Sequence, residues 1–210
     1  MAMVSAAVTP DGRPVAVKRA RAPVHQERLR REAEVLAAVA GPGVPTGLGL
    51  VETLDGPMLV MERLEGETLA ELVRRSRPPL ANIRDIHAAL ARTLARVHSA
   101  GWVHRDVKPA NVFLCTDGRV VLLDWGVAAH VDAPGDPGER PGTPGFVPPE
   151  LAAGAVDPAQ DRWALAASLL RTATGLRSPE GAPPDALRTV LSASGLPGDW
   201  QRWLLSALEP

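Results

Sequence analysis

The stretch from His104 to Gly126 constrains what this chain can fold into more than any other part of it. It runs His104-Arg105-Asp106-Val107-Lys108-Pro109-Ala110-Asn111, then Val112-Phe113-Leu114-Cys115, a Thr116-Asp117-Gly118 turn, Val120-Val121-Leu122-Leu123, and Asp124-Trp125-Gly126. Two short apolar runs around an Asp-Gly signal predict a hairpin. The hairpin folds the chain back, so Asn111 and Asp124 can meet despite being thirteen residues apart. The residue types fit one job. Asp106 can accept a proton from an attacking hydroxyl, Asn111 offers a divalent cation a neutral oxygen, and Asp124 offers it a charged one.

Five of the eight positions from His104 to Asn111 match the H-R-D-x-K-x-x-N catalytic loop. At usages near 5% per residue, chance would supply that string in roughly one chain in ten thousand of this length. With Asp124-Trp125-Gly126 close to D-F-G, the chain resembles a eukaryotic-type (bacterial-like) Ser/Thr protein kinase domain. The resemblance implies an α+β, protein-kinase-like bilobal fold: a truncated β-rich N-terminal lobe over residues 1–61, a hinge over 62–66 and a mainly helical lobe over 67–210. It implies ATP and Mg2+, with Asp106 as the base and Asn111 and Asp124 as metal ligands. Lys108, the Ser/Thr mark, would contact the transferring phosphate and Thr143. His104 would be structural, packed beneath the metal-binding loop with Trp125 as its stacking neighbour.

The rest of the chain can be placed on this frame. Val15-Ala16-Val17-Lys18 alternates as a strand, preceded by an Asp11-Gly12 turn and a strand over 4–8, and resembles the V-A-I-K motif. Lys18 would then hold the α- and β-phosphates. Residues 25–40 predict a helix with Leu29, Ala33, Leu36 and Ala40 on one face, stopped by Gly41-Pro42-Gly43. By resemblance its Glu32 pairs with Lys18, because Glu32 adjoins the apolar stripe whereas Glu34 points about 200° away. Strands at 51–53 and 58–61 flank a Leu54-Asp55-Gly56-Pro57 turn. On the same resemblance Met61 is the gatekeeper, Glu62 and Leu64 offer backbone groups to adenine, and Ala16 and Phe113 line the adenine slot from above and below. A short helix spans 69–75. A longer one opens at Asn82, with Asp85 completing a capping box, and carries Ile83, Ile86, Leu90, Leu94 and Val97 on one face. His87 and His98 have no acidic neighbour at ligand spacing and are expected as surface or satisfied histidines.

From Val127 to Glu150 the composition turns to Pro, Gly and Asp, which predicts a loop. It resembles an activation segment closed by Gly142-Thr143-Pro144-Gly145 and Pro148-Pro149-Glu150. Asp157 caps a helix with Pro158 at its first position. Within that helix Asp161-Arg162-Trp163-Ala164-Leu165 resembles D-x-W-x-L, in which the Asp accepts backbone N–H bonds from the catalytic loop. Amphipathic pieces follow at 184–193 and 199–208.

Composition supports this and narrows the partners. The chain has 21 Arg but only two Lys, Lys18 and Lys108, and both fall on positions where a compact ammonium must fit beside a phosphate. Net charge of −1 gives no bulk electrostatic argument for nucleic acid or an anionic membrane. No apolar run of membrane-spanning length and no secretion signal is present, and the single Cys115, expected in the core, suits a reducing cytoplasm.

Four departures from the kinase pattern carry information. The G-x-G-x-x-G hairpin that covers ATP phosphates has no counterpart among the seventeen residues before Lys18, where Gly12 is the sole glycine. Losing two charge-assisted bonds of about 1.5–3 kcal/mol each would weaken nucleotide binding or turnover by roughly 10²- to 10⁴-fold. Trp125 replaces Phe, Pro148 replaces Ala, and the chain ends at Leu208-Glu209-Pro210 before the family's last helix, leaving Glu150 either without its usual Arg partner or paired with Arg171 or Arg202 instead. The expected function is transfer of the ATP γ-phosphoryl to a protein Ser/Thr hydroxyl. The alternatives are a pseudokinase acting as a nucleotide-binding regulatory module and, less favoured, a small-molecule phosphotransferase. The latter lacks a Gly-Thr-Pro-Gly and Pro-Pro-Glu segment. Thr143 is the one hydroxyl side chain between Gly126 and Glu150. Arg105 is therefore expected to take its anion from Asp132, Asp136 or Glu139, with activity set by a regulatory protein partner or by synthesis.

Overall fold

The structure, a computed structural model, describes residues 2–133, 141–148, 151, 154–175 and 184–208. Strands β1 (Ala2–Val8) and β2 (Pro14–Ala20) form an antiparallel hairpin in unbroken register from Ala2↔Ala20 to Val8↔Pro14. Strands β3 (Gly47–Thr53) and β4 (Gly56–Glu62) complete a four-stranded sheet of order β1-β2-β4-β3. Their turn is tighter than expected. Leu54 and Asp55 make it, and Pro57 is already paired with Glu52. Directly opposed residues of an antiparallel pair share a face. Ala16 opposes Met61 and Lys18 opposes Leu59, so these four lie on one side of the sheet.

Helix α1 (Gln26–Ala38) packs against β2, β3 and β4 and buries Leu29, Glu32, Val35 and Leu36. The expected stripe needs correction. The helix ends before Ala40, which is exposed, and Ala33 is only half-buried, while Val35 and Val39 are buried. Arg96 receives the end of this helix, donating to the carbonyls of Val39 (2.8 Å), Ala40 (3.3 Å) and Pro42 (3.0 Å). Such orphan carbonyls need partners, and a cation suits the negative end of the helix dipole.

After residues 63–65, strand β5 (Gly66–Thr68) leads into α2 (Leu69–Arg75). The capping box forms here, between Thr68 and Glu71, and not at Asn82 and Asp85. Helix α3 (Leu80–Ser99) starts earlier, after Pro79 with no side-chain cap, and Asp85 instead pairs with Arg84 at 3.4 Å. Its inner face is the predicted one, Ile83, Ile86, Leu90, Leu94 and Val97. Strand β6 (Trp102–Val103) pairs with β9 (Ala129–His130), and β7 (Val112–Cys115) and β8 (Val120–Leu122) join β5 in a sheet of order β5-β7-β8. Cys115 is half-buried on β7, not a core residue.

Helix α4 (Pro158–Thr174) is capped by Asp157, whose carboxylate accepts the Ala159 N–H at 2.7 Å, and stops at Gly175 with φ 76°. From Trp163 to Leu170 every residue is buried, so the helix is the axis around which α3 and α6 pack. Helices α5 (Pro184–Ala193) and α6 (Gly198–Leu208) follow, with Leu204 and Leu208 of α6 buried. This is the α+β arrangement expected from the sequence: a small β-rich part with one packed helix, then a mainly helical part. Among the described residues no helix is long and apolar enough to cross a membrane.

Candidate active site

Between the two sheets lies a cavity of about 600 Å³. Ala16, Met61, Glu62, Leu64 and Phe113 line it together with Lys18, Glu32, Asn111 and Asp124. All the residues singled out as nucleotide or metal ligands therefore face one space. Leu123, Gly126, and Ala2 and Val4 of β1 also line it. Sequence reasoning missed these, since nothing in their types marks them. The Glu62 N–H is donated to the Thr46 carbonyl at 2.9 Å, so only its carbonyl could serve a ligand.

Lys18 sits between two carboxylates. Its Nζ is 2.8 and 2.6 Å from the Glu32 oxygens and 2.7 Å from Asp124 Oδ1. Strand alternation turns Lys18 toward the cavity, and the inner stripe of α1 delivers Glu32 opposite it, while Glu34 is exposed. Burial opposes the Lys18 charge, but Glu32 and Asp124 outweigh it and raise its pKa. Burial pushes the Glu32 carboxyl up despite the ammonium beside it. Burial also acts to raise Asp124, yet Lys18 holds it below the ordinary carboxylate value.

The loop carrying Asp106 is strained and tightly held. Arg105 has φ 70° and Asp124 φ 65°, both left-handed conformations that cost a non-glycine residue about 1–3 kcal/mol. Asp161, fully buried on the first turn of α4, accepts the Arg105 N–H on Oδ1 and the His104 N–H on Oδ2, each at 2.8 Å. His98 Nε2 lies 2.8 Å from the same Oδ2. His98 thus has an acidic partner, 63 residues away, which no local spacing could reveal.

His104 joins this loop to the one carrying Asp124. Its Nε2 is 3.0 Å from the Leu123 carbonyl, and its Nδ1 accepts the Asp106 N–H at 3.2 Å. Those partners assign a neutral ring protonated on Nε2, and burial pushes its pKa down in keeping. The ring meets Trp125 edge-on, with centroids 4.5 Å apart at 75°, not stacked as expected.

Asp106 is buried beside the cavity, not in its lining. Its Oδ1 accepts from the Thr143 hydroxyl at 2.7 Å, and its Oδ2 from Lys108 Nζ at 2.7 Å and Asn111 Nδ2 at 3.0 Å. Lys108 also donates to Thr143 Oγ1 at 2.6 Å. The Asn111 amide further donates to the Asp106 carbonyl at 2.8 Å. With its nitrogen committed to Asp106, Asn111 has its oxygen left for a cation. Together with the half-exposed Asp124 carboxylate this gives two hard oxygens at one end of the cavity, a donor set that suits magnesium.

Residues 1–182 match the family model described as the protein kinase domain. The chain belongs to the protein kinase domain family. It is 34% identical over 203 residues to serine/threonine-protein kinase pkn2 of Myxococcus xanthus, covering 90% of this chain and 24% of that protein. It is 35% identical over 188 residues to probable serine/threonine-protein kinase PkwA of Thermomonospora curvata, covering 85% of this chain and 25% of that protein. Serine/threonine-protein kinase PknA of Mycobacterium tuberculosis is 36% identical over 168 residues, covering 73% of this chain and 39% of PknA. This kinase domain therefore spans well under half the length of those relatives. Of the residues expected in its activation segment, Asp136, Glu139 and Glu150 lie outside the described residues. Asp132 sits 3.5 Å from His130, and Arg171 lies over the Phe146 ring at 5.7 Å.

Proposed function

We propose that this kinase domain transfers the γ-phosphoryl of ATP to a Ser or Thr hydroxyl of a protein. The observation that supports it most is the Asp106–Lys108–Thr143 triangle. A carboxylate is held at 2.7 Å from a hydroxyl and 2.7 Å from an ammonium, next to the cavity end that carries Asn111 and Asp124. In this reading residues 1–61 form the small lobe, 62–66 the hinge and 67–210 the helical lobe. Adenine occupies the slot between Ala16 and Phe113, under Met61, and meets the backbone of Glu62 and Leu64.

Lys18 leaves Asp124 for the nucleotide phosphates while Glu32 keeps it oriented. Asn111 and Asp124 would hold Mg2+, which neutralises phosphate charge when bound. Asp106 orients the substrate hydroxyl and takes its proton as the oxygen bonds to phosphorus and the bond to the ADP oxygen breaks. Lys108 sits where negative charge builds on the transferring group, and its contact with Thr143 fixes its position. A binding-only module has no use for a restrained Asp106, and a small-molecule phosphotransferase has none for Thr143 bound into the centre.

The test is incubation with labelled ATP, magnesium and dephosphorylated casein, followed by phosphoamino-acid analysis. Label on serine or threonine is expected. ATP hydrolysis without transfer to protein, or label on a small alcohol alone, would contradict the proposal.

A further inference from the structure

An ion pair beside the connector between the two sheets has no part in the chemistry above. Glu62 ends β4, and its largely buried carboxylate is shared. Oε1 accepts from the Thr46 N–H at 2.9 Å and the Thr46 hydroxyl at 3.2 Å, and Oε2 lies 3.1 Å from Arg119 Nη1. Thr46 immediately precedes β3, so that end of the network belongs to the four-stranded sheet. Arg119 lies in the turn joining β7 and β8, in the other sheet. Asp117 fixes it there, accepting from Arg119 Nε at 2.8 Å and from its N–H at 3.0 Å.

One carboxylate therefore bonds both sheets at the point where residues 63–65 cross between them. The two sheets are also the two walls of the cavity: Ala16 and Met61 stand on one, and Phe113 on the other. Swinging the walls apart about the connector must either break the Glu62–Arg119 contact or drag the β7–β8 hairpin along. The hairpin is tethered to the connector through Thr116 N–H on the Glu65 carbonyl, and a second bond, Leu122 N–H on the Gly43 carbonyl, ties it to the loop ahead of β3, each at 2.8 Å; these are backbone bonds, whereas Glu62–Arg119 is a partly exposed side-chain pair. Breaking the side-chain pair is the easier route.

We propose that the Glu62–Arg119 pair is a strap across the hinge that limits cleft opening and so sets how long a nucleotide stays bound. The proposal rests on the nucleotide reading of the cavity. Arg119 does not line the cavity, and it acts through Glu62 as a positioning residue. With the Arg119 side chain 48% exposed, an ion pair of this kind supplies about a two- to fivefold effect.

The test is stopped-flow release of a fluorescent ADP analogue from the full chain, comparing the parent with Arg119→Met and Asp117→Asn. Arg119→Met should release the nucleotide about two- to fivefold faster, and Asp117→Asn should show a smaller gain. Added salt screens the phosphate contacts in both proteins, so it should speed release from each, but by a larger factor in the parent than in Arg119→Met. Single-turnover transfer at saturating ATP should be unchanged, which a general loss of packing would not spare. A Glu62→Gln, Arg119→Met double variant should release no faster than Arg119→Met alone. Equal release rates for parent and Arg119→Met, or additive effects in the double variant, would overturn the strap. If Arg119→Met does not fold, Asp117→Asn and the salt dependence carry the test. No binding of the ADP analogue by the parent would overturn the cavity reading, and the strap with it.

Discussion

Asp161→Asn is the most informative single change outside the cavity. In the parent, Oδ2 receives two donors, His104 N–H and His98 Nε2, while Oδ1 receives one, Arg105 N–H. An amide offers one oxygen and one NH2 group. Its least costly placement keeps the oxygen where two donors converge, which turns the NH2 toward the Arg105 N–H. The lesion therefore falls on the residue at φ 70°. Losing one charge-assisted bond removes about 1.5–3 kcal/mol of restraint. That is comparable to the strain of about 1–3 kcal/mol that the restraint opposes. The loop should then spend most of its time relaxed, with Asp106 out of register with Lys108 and Thr143. The expected result is a kcat lower by about 10- to 100-fold, with ATP affinity within about twofold of the parent because residues 104–106 do not line the cavity. Steady-state kinetics with calorimetry measure both. An unchanged kcat in a folded variant would refute the claim that Asp161 holds the loop against strain.

Three further outcomes follow from the same geometry. Asp124→Asn removes the charged oxygen at the cation end, so Mg-ATP affinity should fall at least about tenfold even though Lys18 is freed of a competing carboxylate; unchanged calorimetric affinity would exclude that role. Thr143→Glu puts a second carboxylate against Asp106 and should lower kcat at least about tenfold, while Thr143→Ser should retain activity. By the same logic phosphate on Thr143 should inhibit, and phosphatase treatment of the purified protein should not lower its rate. His87 is buried on α3 with Nδ1 on the Ile83 carbonyl, and burial pushes its pKa from 6.5 to about 4. Between those values the unfolded chain binds a proton that the folded chain refuses. Stability is therefore lost as pH falls from 6.5 toward 4, by about 3 kcal/mol in all, with the loss complete below 4. Urea unfolding of parent and His87→Leu across that range checks this, since the variant should lack that part of the slope.

What the sequence revealed was whatever depends on short spacing. The hairpin between Asn111 and Asp124, the stripe on α3 and the choice of Glu32 over Glu34 all follow from periods of two or 3.6 residues. Strands β5 and β9 escaped because three and two residues carry no period, and pairing partners elsewhere in the chain define them. The capping box went to Thr68 and Glu71 because Pro79 had already set the entry to α3 before Asn82 was reached. The His98–Asp161 bond and the Thr46–Glu62–Arg119 network join positions 63, 16 and 57 residues apart. Only the packing of α3 on α4, and of the hairpin beside the connector, brings them together. Cys115 looked like core from its apolar neighbours, yet the end of β7 leaves it half-exposed.

Replacing Asp106 by Asn tests the account most directly. It keeps the shape of the group that meets Thr143, Lys108 and Asn111 and removes the carboxylate that orients and deprotonates the hydroxyl. The measurement is paired: phosphate transfer to a protein substrate, and Mg-ATP affinity by calorimetry, on parent and Asp106→Asn at matched purity. Transfer should fall by about 10²-fold or more while affinity stays within about threefold. Equal transfer by both proteins would contradict it.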